Sequence, residues 1–296
     1  MAATSIRAQA LSSSLAVSTA CAVRDLVAGW RAQHQTVAVV PTMGNLHEGH
    51  LSLVRLARRI ADRVVVTIFV NPTQFGPGED FADYPRTLEE DRESLERSAP
   101  VDALFVPDEK EIYPFGTDEA VRLVMPSLSR ELCGASRPGH FDGVASVVCR
   151  LLNVVGPDVL VLGRKDYQQL ILLERLIVDL RLPVRVVPGR TLREPDGLAM
   201  SSRNRYLDAE QRRRAPALHA ALERVQQALR RGDADHAALE RQAIEELERA
   251  GFEPDYVEIR RARDLAKPQP GDTPEELIVL GAAWLGAARL IDNSSP

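Results

Sequence analysis

Short apolar runs alternate with longer amphipathic stretches through the first two-thirds of the chain. Val37 to Val40, Val64 to Val70, Ala103 to Val106, Val159 to Leu162 and Val184 to Val187 are apolar with little polar alternation. That texture predicts parallel strands covered on both faces, because a strand with one wet face alternates apolar with polar. Asn71-Pro72, Pro107, Gly163 and Pro188 close four of the runs. Between the runs, Leu51 to Ile60, Leu88 to Arg97, Val144 to Val155 and Gln168 to Leu180 repeat apolar residues at helical spacing, and Cys21 to Arg31 reads as a first helix. The alternation predicts an α/β fold, a Rossmann-like doubly wound parallel sheet.

Beyond residue 190 the pattern changes. Asp208 to Arg231 reads as one charged amphipathic helix, with Asp208 as N-cap and Gly232 as stop, and Asp235 to Ala250 as a second helix ending at Gly251. Tyr256 to Ile259, Leu277 to Leu280 and Ala288 to Ile291 follow as short strands with turns between them and no long crossover. They predict a second, smaller α+β domain with an antiparallel sheet. The expected division is residues 1–190 and 191–296, with roughly residues 1–16 a disordered extension. Met1 to Arg24 holds no acidic residue and is rich in Ser and Ala, a faint likeness to a transit peptide that keeps organelle import as an alternative.

Candidate chemistry gathers where predicted strands hand over to helices. Residues 41 to 50 read Pro-Thr-Met-Gly-Asn-Leu-His-Glu-Gly-His, directly after the first run. His47 and His50 therefore stand at i and i+3 on a helix start, where backbone N–H groups and positive partial charge favour a phosphate. Gly44 and Gly49 leave room for a ligand against the backbone. The pattern points to polyphosphate, with imidazoles donating hydrogen bonds as charge develops on an α-phosphate. A zincin motif needs histidines at i and i+4, so this spacing is one residue short. Two ordinary histidines at a helix start are the plain alternative.

Three further segments share that placement. Gly163-Arg164-Lys165-Asp166-Tyr167-Gln168-Gln169 offers a lysine suited to phosphate and amides suited to a polar substrate, or simply a solvated loop with Asp166 as N-cap. Met200-Ser201-Ser202-Arg203-Asn204 puts hydroxyls, N–H groups and a guanidinium in a row, able to grip a triphosphate or to serve as a polar loop. Asn71-Pro72-Thr73-Gln74-Phe75 offers Asn71 and Gln74 to a carboxylate or hydroxyl, beside the bland reading of a turn. Glu89, Glu90 and Asp91 are placed to approach Mg²⁺ or merely to favour a helix dipole.

Composition narrows the classes. A chain of 296 residues favours two domains, and a net charge of −5 argues against an extensive nucleic-acid surface. Cys21, Cys133 and Cys149 are odd in number and widely spaced, which suits reduced thiols in a cytoplasm. No apolar stretch approaches the ~20 residues needed to cross a bilayer.

Taken together, residues 41–50, Phe69 to Phe75, Tyr84-Pro85-Arg86-Thr87, Lys165 to Gln169 and Met200 to Asn204 resemble the pantoate–β-alanine ligase family, the pantothenate synthetases, in order from about Leu26 to the C-terminus. The resemblance implies ATP-dependent condensation of (R)-pantoate with β-alanine through pantoyl adenylate, giving pantothenate, AMP and pyrophosphate. It assigns His47, His50 and Lys165 to catalysis. Met43, Gly44, His47, His50, Gly163, Arg164, Lys165, Asp166, Leu192, Met200, Ser201, Ser202 and Arg203 go to the nucleotide. Gln74, Gln169, Asn71, Arg137 and His140 go to pantoate, and Asp91 to Mg²⁺. It further implies a cytoplasmic homodimer whose partners are small molecules, with neither nucleic acid nor membrane, and a C-terminal domain that closes over ATP. Arg164 departs from the family, which usually carries an acidic residue there. The competing classes are another adenylate-forming enzyme on the same scaffold, and a nucleotide sensor; a sensor is expected to have lost His47, His50 or Lys165, and all three are present.

Overall fold

The computed structural model describes residues 15–294. Among them, six strands form one sheet in the order β1-β4-β3-β2-β5-β6: β1 Leu15–Val17, β2 Val37–Thr42, β3 Arg63–Ile68, β4 Ala103–Phe105, β5 Val159–Gly163 and β6 Arg185–Gly189. The pairs β1/β4, β4/β3, β3/β2 and β2/β5 are parallel. The chain steps outward from β2 to β3 and β4, then returns to lay β5 against the other side of β2. The strand order therefore reverses between β2 and β5, which is where open α/β sheets bind ligands, beyond the carboxyl ends of the strands.

The extension expected over residues 1 to about 16 lies, as far as residue 14, outside the described residues. Its last two residues are not an extension at all. Leu15 and Ala16 belong to β1, in register with Ala103 and Leu104 of β4. Three residues are too few for a periodicity to register, so their pattern could not reveal the strand.

The chain divides into two compact units, 15–123 with 143–162 and 182–189, and 124–142 with 163–181 and 190–294. In the first, the helix α2 (Glu48–Ile60) buries Leu51, Val54 and Ala57 in a cluster with Ala38, Val40, Val64, Val66 and Leu95. Burying one Leu or Val side chain fully is worth ~1.5–3 kcal/mol, so this stripe is what holds the helix on the sheet. The helices α1 (Ala20–Arg31), α3 (Leu88–Ser98) and α6 (His140–Val155) start within a few residues of the sequence expectation, as does α7 (Tyr167–Asp179) in the second unit, while the short turns α4 (Glu109–Ile112) and α5 (Cys133–Ser136) carry no apolar pattern of their own.

In the second unit the helix expected over Asp208 to Arg231 is two helices, α8 (Ala209–Arg214) and α9 (Ala217–Arg230). Pro216 has no N–H to continue the ladder, so the helix breaks there although the apolar spacing runs on. Asp208 caps α8, accepting from Glu210 N and Gln211 N at 2.8 Å each. α9 and α10 (His236–Arg249) pack on an antiparallel sheet of β7 (Glu253–Arg261), β8 (Leu277–Leu285) and β9 (Ala288–Ser294). Leu222, Val225, Leu229, Leu247, Ile259, Val279 and Leu290 form its core.

Within that core the side chain of Gln226 on α9 is fully buried, and neither its Oε1 nor its Nε2 finds a hydrogen-bond partner. An unpaired buried amide costs about 1–3 kcal/mol, which an apolar side chain of similar volume avoids. Gln226→Met is therefore expected to raise the urea midpoint by an amount equivalent to ~1–2 kcal/mol; an unchanged or lowered midpoint refutes this account of the residue.

Candidate active site

The segment after β2 turns sharply before it becomes α2. Gly44 sits at φ +79° and Asn45 at φ +51°, both left-handed. A Cβ on Gly44 would stand 3.0 Å from Asp91 Oδ2 and 3.1 Å from Ile68 Cγ2, so both backbone angle and space call for glycine. What fixes the turn is the carboxylate of Asp91, which reaches in from α3. Its Oδ2 accepts from Asn45 N at 2.9 Å and its Oδ1 from Leu46 N at 2.6 Å. Thr87 Oγ1 donates to Oδ2 at 3.3 Å. Asp91 is only 3% exposed, and burial pushes its carboxyl above the ordinary range against the lowering effect of the two backbone N–H bonds.

α2 then begins on a cap made of two histidines. His47, extended at φ −124° and ψ 173°, is the N-cap, and its Nδ1 accepts from Gly49 N at 3.1 Å. His50 returns the arrangement: its Nδ1 accepts from His47 N at 3.3 Å. The two rings lie 4.1 Å apart between centroids. A ring nitrogen that accepts carries no hydrogen, so in both neutral imidazoles the proton belongs on Nε2. With Nδ1 accepting in each ring, the ring N–H of the neutral form is the one on Nε2, on the edge turned away from the backbone partner.

Beside this turn stands the loop after β3. Gln74 Nε2 lies 3.4 Å from Met43 Sδ, which brings an expected substrate residue to an expected nucleotide residue. Asn71, expected at the substrate, has another place. It is 1% exposed, and its amide atoms are spent inside the unit. Nδ2 donates to Gln74 Oε1 at 3.1 Å and to Gly143 O at 3.3 Å, while Oδ1 accepts from Tyr113 Oη at 2.7 Å. Asn71 thus orients Gln74 and does not present itself. Gly143 on α6 makes room for the loop, since a Cβ there would lie 2.2 Å from Thr73 O. Tyr113, with its hydroxyl pushed up by burial, is a member of this network that no spacing in the sequence announced.

The other expected residues lie in the second unit. Gly163 ends β5, and Arg164–Asp166 form a 3₁₀ turn leading into α7. Asp166 occupies the N-cap position of α7 and makes no side-chain capping bond. The guanidinium of Arg164 lies over Tyr167, 5.9 Å from the ring centroid. Leu192 and Met200 face each other across a hairpin, with Met200 N donating to Leu192 O at 3.0 Å. Ser201 caps the turn Ser202–Tyr206, its Oγ accepting from Arg203 N at 3.3 Å. Lys165, Ser201, Asn204 and Asp292 line one small cleft. Arg137 Nη1 and His140 Nε2 are 3.0 Å apart. Gln169 is half-buried on the first turn of α7, and its neighbour Gln168 is structural: its amide holds Cys133 N, Leu128 O and Glu131 O at 2.8–3.0 Å.

A glycine-containing, histidine-capped helix start after a central parallel strand can bind phosphate and stabilise charge developing on it. A family model described as pantoate-beta-alanine ligase matches residues 15–295. The chain belongs to the pantoate–β-alanine ligase family. It is 56% identical over 277 residues to the pantothenate synthetase of Thioalkalivibrio sulfidiphilus, covering 94% of this chain and 96% of that protein. It is 57% identical over 274 residues to that of Halorhodospira halophila, covering 92% and 95%. The crystal structure of the Thermus thermophilus pantothenate synthetase superposes with a TM-score of 0.87 at 43% identity, over 95% of this chain and all of that one. The Francisella tularensis pantoate-beta-alanine ligase, solved in complex with Beta-gamma ATP and Beta-alanine, superposes with a TM-score of 0.79 at 33% identity, over 95% and 97% of the two chains. The protein is thus an enzyme, a carbon–nitrogen ligase that joins pantoate to β-alanine with ATP as a substrate.

The Asp91 clamp yields a direct test. In Asp91→Asn a single carboxamide oxygen replaces two acceptors, and the amide NH₂ would face a backbone N–H. The backbone N–H and the amide NH₂ facing it are both left without an acceptor, at a cost of at least about 1–3 kcal/mol. Hydrogen exchange at Asn45 and Leu46 is expected to accelerate and the stability of the variant to fall by that amount. Unchanged exchange at both amides would remove Asp91 from this role.

Proposed function

We propose that the enzyme works through two displacements. A pantoate carboxylate oxygen attacks the α-phosphorus of ATP, the bond to the bridging oxygen of the β-phosphate breaks, and pyrophosphate leaves behind pantoyl adenylate. The amine of β-alanine then attacks the acyl carbon, the carbon–oxygen bond to AMP breaks, and nitrogen gives up a proton as pantothenate forms. The observation that carries this reading is the reciprocal histidine cap. It seats two imidazoles, each accepting on Nδ1, at a helix N-terminus, and negative charge gathers on the phosphoryl oxygens in the first step. The phosphates fall to His47 and His50, the nucleotide to Met43 and Gly44. From the second unit Gly163, Arg164, Lys165, Asp166, Leu192, Met200, Ser201, Ser202 and Arg203 are assigned to ATP. Pantoate falls to Gln74 and Gln169, with Arg137 and His140 as further candidates.

The donors present do not make a resident metal centre. Among the described residues no group of three or more His, Cys, Asp or Glu is placed to hold an ion, and both Asp91 oxygens are committed to backbone N–H groups. In this proposal Mg²⁺ would come with the phosphates of ATP and neutralise their charge, and Asp91 would be the residue to meet it. The functional division at residues 190 and 191 has one buried cluster on each side of it, although segments 124–142 and 163–181 group with the later residues. A homodimer is supported by the exposed apolar side chains of Phe115 and Val121, 82% and 78% exposed. Cytoplasmic residence is supported by three free cysteines. No helix among the described residues is long and apolar enough to cross a membrane.

The separate first step sets the test. Pantoate alone, with no β-alanine, is expected to drive exchange of labelled pyrophosphate into ATP; exchange that strictly requires β-alanine overturns the two-step scheme. In the same assay His50→Ala is expected to slow exchange by about 10²–10³, some 3–4 kcal/mol of transition-state stabilisation. Its folding cost is that of a lost cap, ~1 kcal/mol. A variant within threefold of the parent reduces His50 to a capping residue.

A further inference from the structure

The two loops that carry the nucleotide residues of the second unit are both tied to one dipeptide of β9, Asp292-Asn293. Asn293 is 6% exposed and its Nδ2 donates to Arg164 O and to Lys165 O, each at 2.9 Å. Peptide groups are planar and trans, so fixing these two carbonyls also fixes the opposite-facing N–H groups of Lys165 and Asp166, and with them the direction in which the Lys165 side chain leaves the turn. Asp292, 5% exposed, takes the second loop. Arg193, from the hairpin that pairs Leu192 with Met200, donates through Nη1 to Asp292 Oδ2 at 2.6 Å and through Nη2 to Oδ1 at 3.0 Å. Arg193 Nη1 also donates to Gly197 O at 3.1 Å, across the turn of its own hairpin, and Nη2 to Asn293 O at 3.3 Å. The loop is closed by Asn293 N, which donates to Asp292 Oδ1 at 2.8 Å. A planar, bidentate guanidinium–carboxylate pair of this kind fixes orientation as well as distance.

We propose that Asn293, backed by the Arg193–Asp292 pair, is a positioning residue for ATP: it sets Lys165 and the Leu192–Met200 hairpin in one fixed relation. The inference rests on the assignment of Lys165 and Ser201 to the nucleotide. The Asn293 side-chain amide donates to two backbone carbonyls, so its effect belongs to the placement of Lys165 and not to the chemistry of the acyl group. An aspartate at 293 offers no side-chain N–H and turns a carboxylate toward two carbonyl oxygens, whereas serine keeps one side-chain donor.

The test is pantoate-driven pyrophosphate exchange on Asn293→Asp, Asn293→Ser and Lys165→Ala, with melting curves for each. Displacing a binding group by about 1 Å costs up to ~10² in rate, so Asn293→Asp is expected to raise KM for ATP by about tenfold or more, and Asn293→Ser by about threefold, with KM for pantoate within about twofold of the parent. A purely structural role would lower the melting temperature and the folded yield but leave KM for ATP per folded enzyme unchanged. If Lys165→Ala raises KM for ATP while folded Asn293→Ser and Asn293→Asp leave it within twofold, the positioning role is overturned and the nucleotide assignment stands. If Lys165→Ala itself leaves KM for ATP unchanged, the nucleotide assignment fails first. Should Asn293→Asp not fold, the KM of Asn293→Ser decides.

Discussion

A carboxylate turned inward governs the end of β2. Asp91 binds the N–H groups of two successive residues, in a turn where Gly44 and Asn45 both take positive φ and Gly44 N also donates to Thr42 Oγ1 at 3.2 Å. Left-handed backbone at a residue other than glycine costs roughly 1–2 kcal/mol, and it persists only where neighbours over-determine it. The carboxylate is buried, so its desolvation works against it. Two charge-assisted hydrogen bonds at 2.6 and 2.9 Å offset that penalty, and the net effect is a fixed entry angle into α2. The reciprocal histidine cap then follows from where the helix has been made to start.

The same arrangement recurs around the expected ligand residues. A buried side-chain amide grips a backbone or amide group, and a residue expected at the ligand is the one gripped or the next in the chain. Asn71 holds Gln74, Gln168, next in the chain to Gln169, holds the segment at Leu128 to Cys133, and Asn293 holds Lys165. Loops carry function because they can vary, but a loop held only by its own ends would not keep a donor within a few tenths of an ångström. Buried amides suit the task, since each can donate and accept without the cost of burying a charge.

Much of this is legible in the chain. Strands buried on both faces lose polar alternation, so the central strands, and the helices that cover them, show themselves by pattern. The residues of each loop that face outward are legible too, because polar residues after an apolar run have few other uses. What pattern cannot reach are partners far apart in sequence: Asp91 for Asn45, Tyr113 for Asn71, Asn293 for Lys165. A hydrogen bond across 128 residues leaves no periodicity. Asp91 reads as a carboxylate that could approach a metal because a sequence shows the charge and hides the two N–H groups already bound to it. Pro216 is visible, yet apolar spacing that continues on both sides of it masks the break.

The spacing of the two histidines now has a physical reason. A capping box joins the N-cap residue to the third residue of the helix, so two side chains that cap each other's turn must stand at i and i+3. A metal pair on a continuous helix face stands at i and i+4, and the difference of one residue separates the two chemistries. Histidine is also the side chain that fills both positions and still serves a phosphate. Serine would cap Gly49 N and leave no second donor on a rigid arm, while aspartate would cap well and repel the ligand. An imidazole accepts on Nδ1 and donates on Nε2, on opposite edges of one plane. The bond that starts the helix is therefore the bond that sets which nitrogen carries the proton, and structure and chemistry at this turn are a single hydrogen-bonding choice.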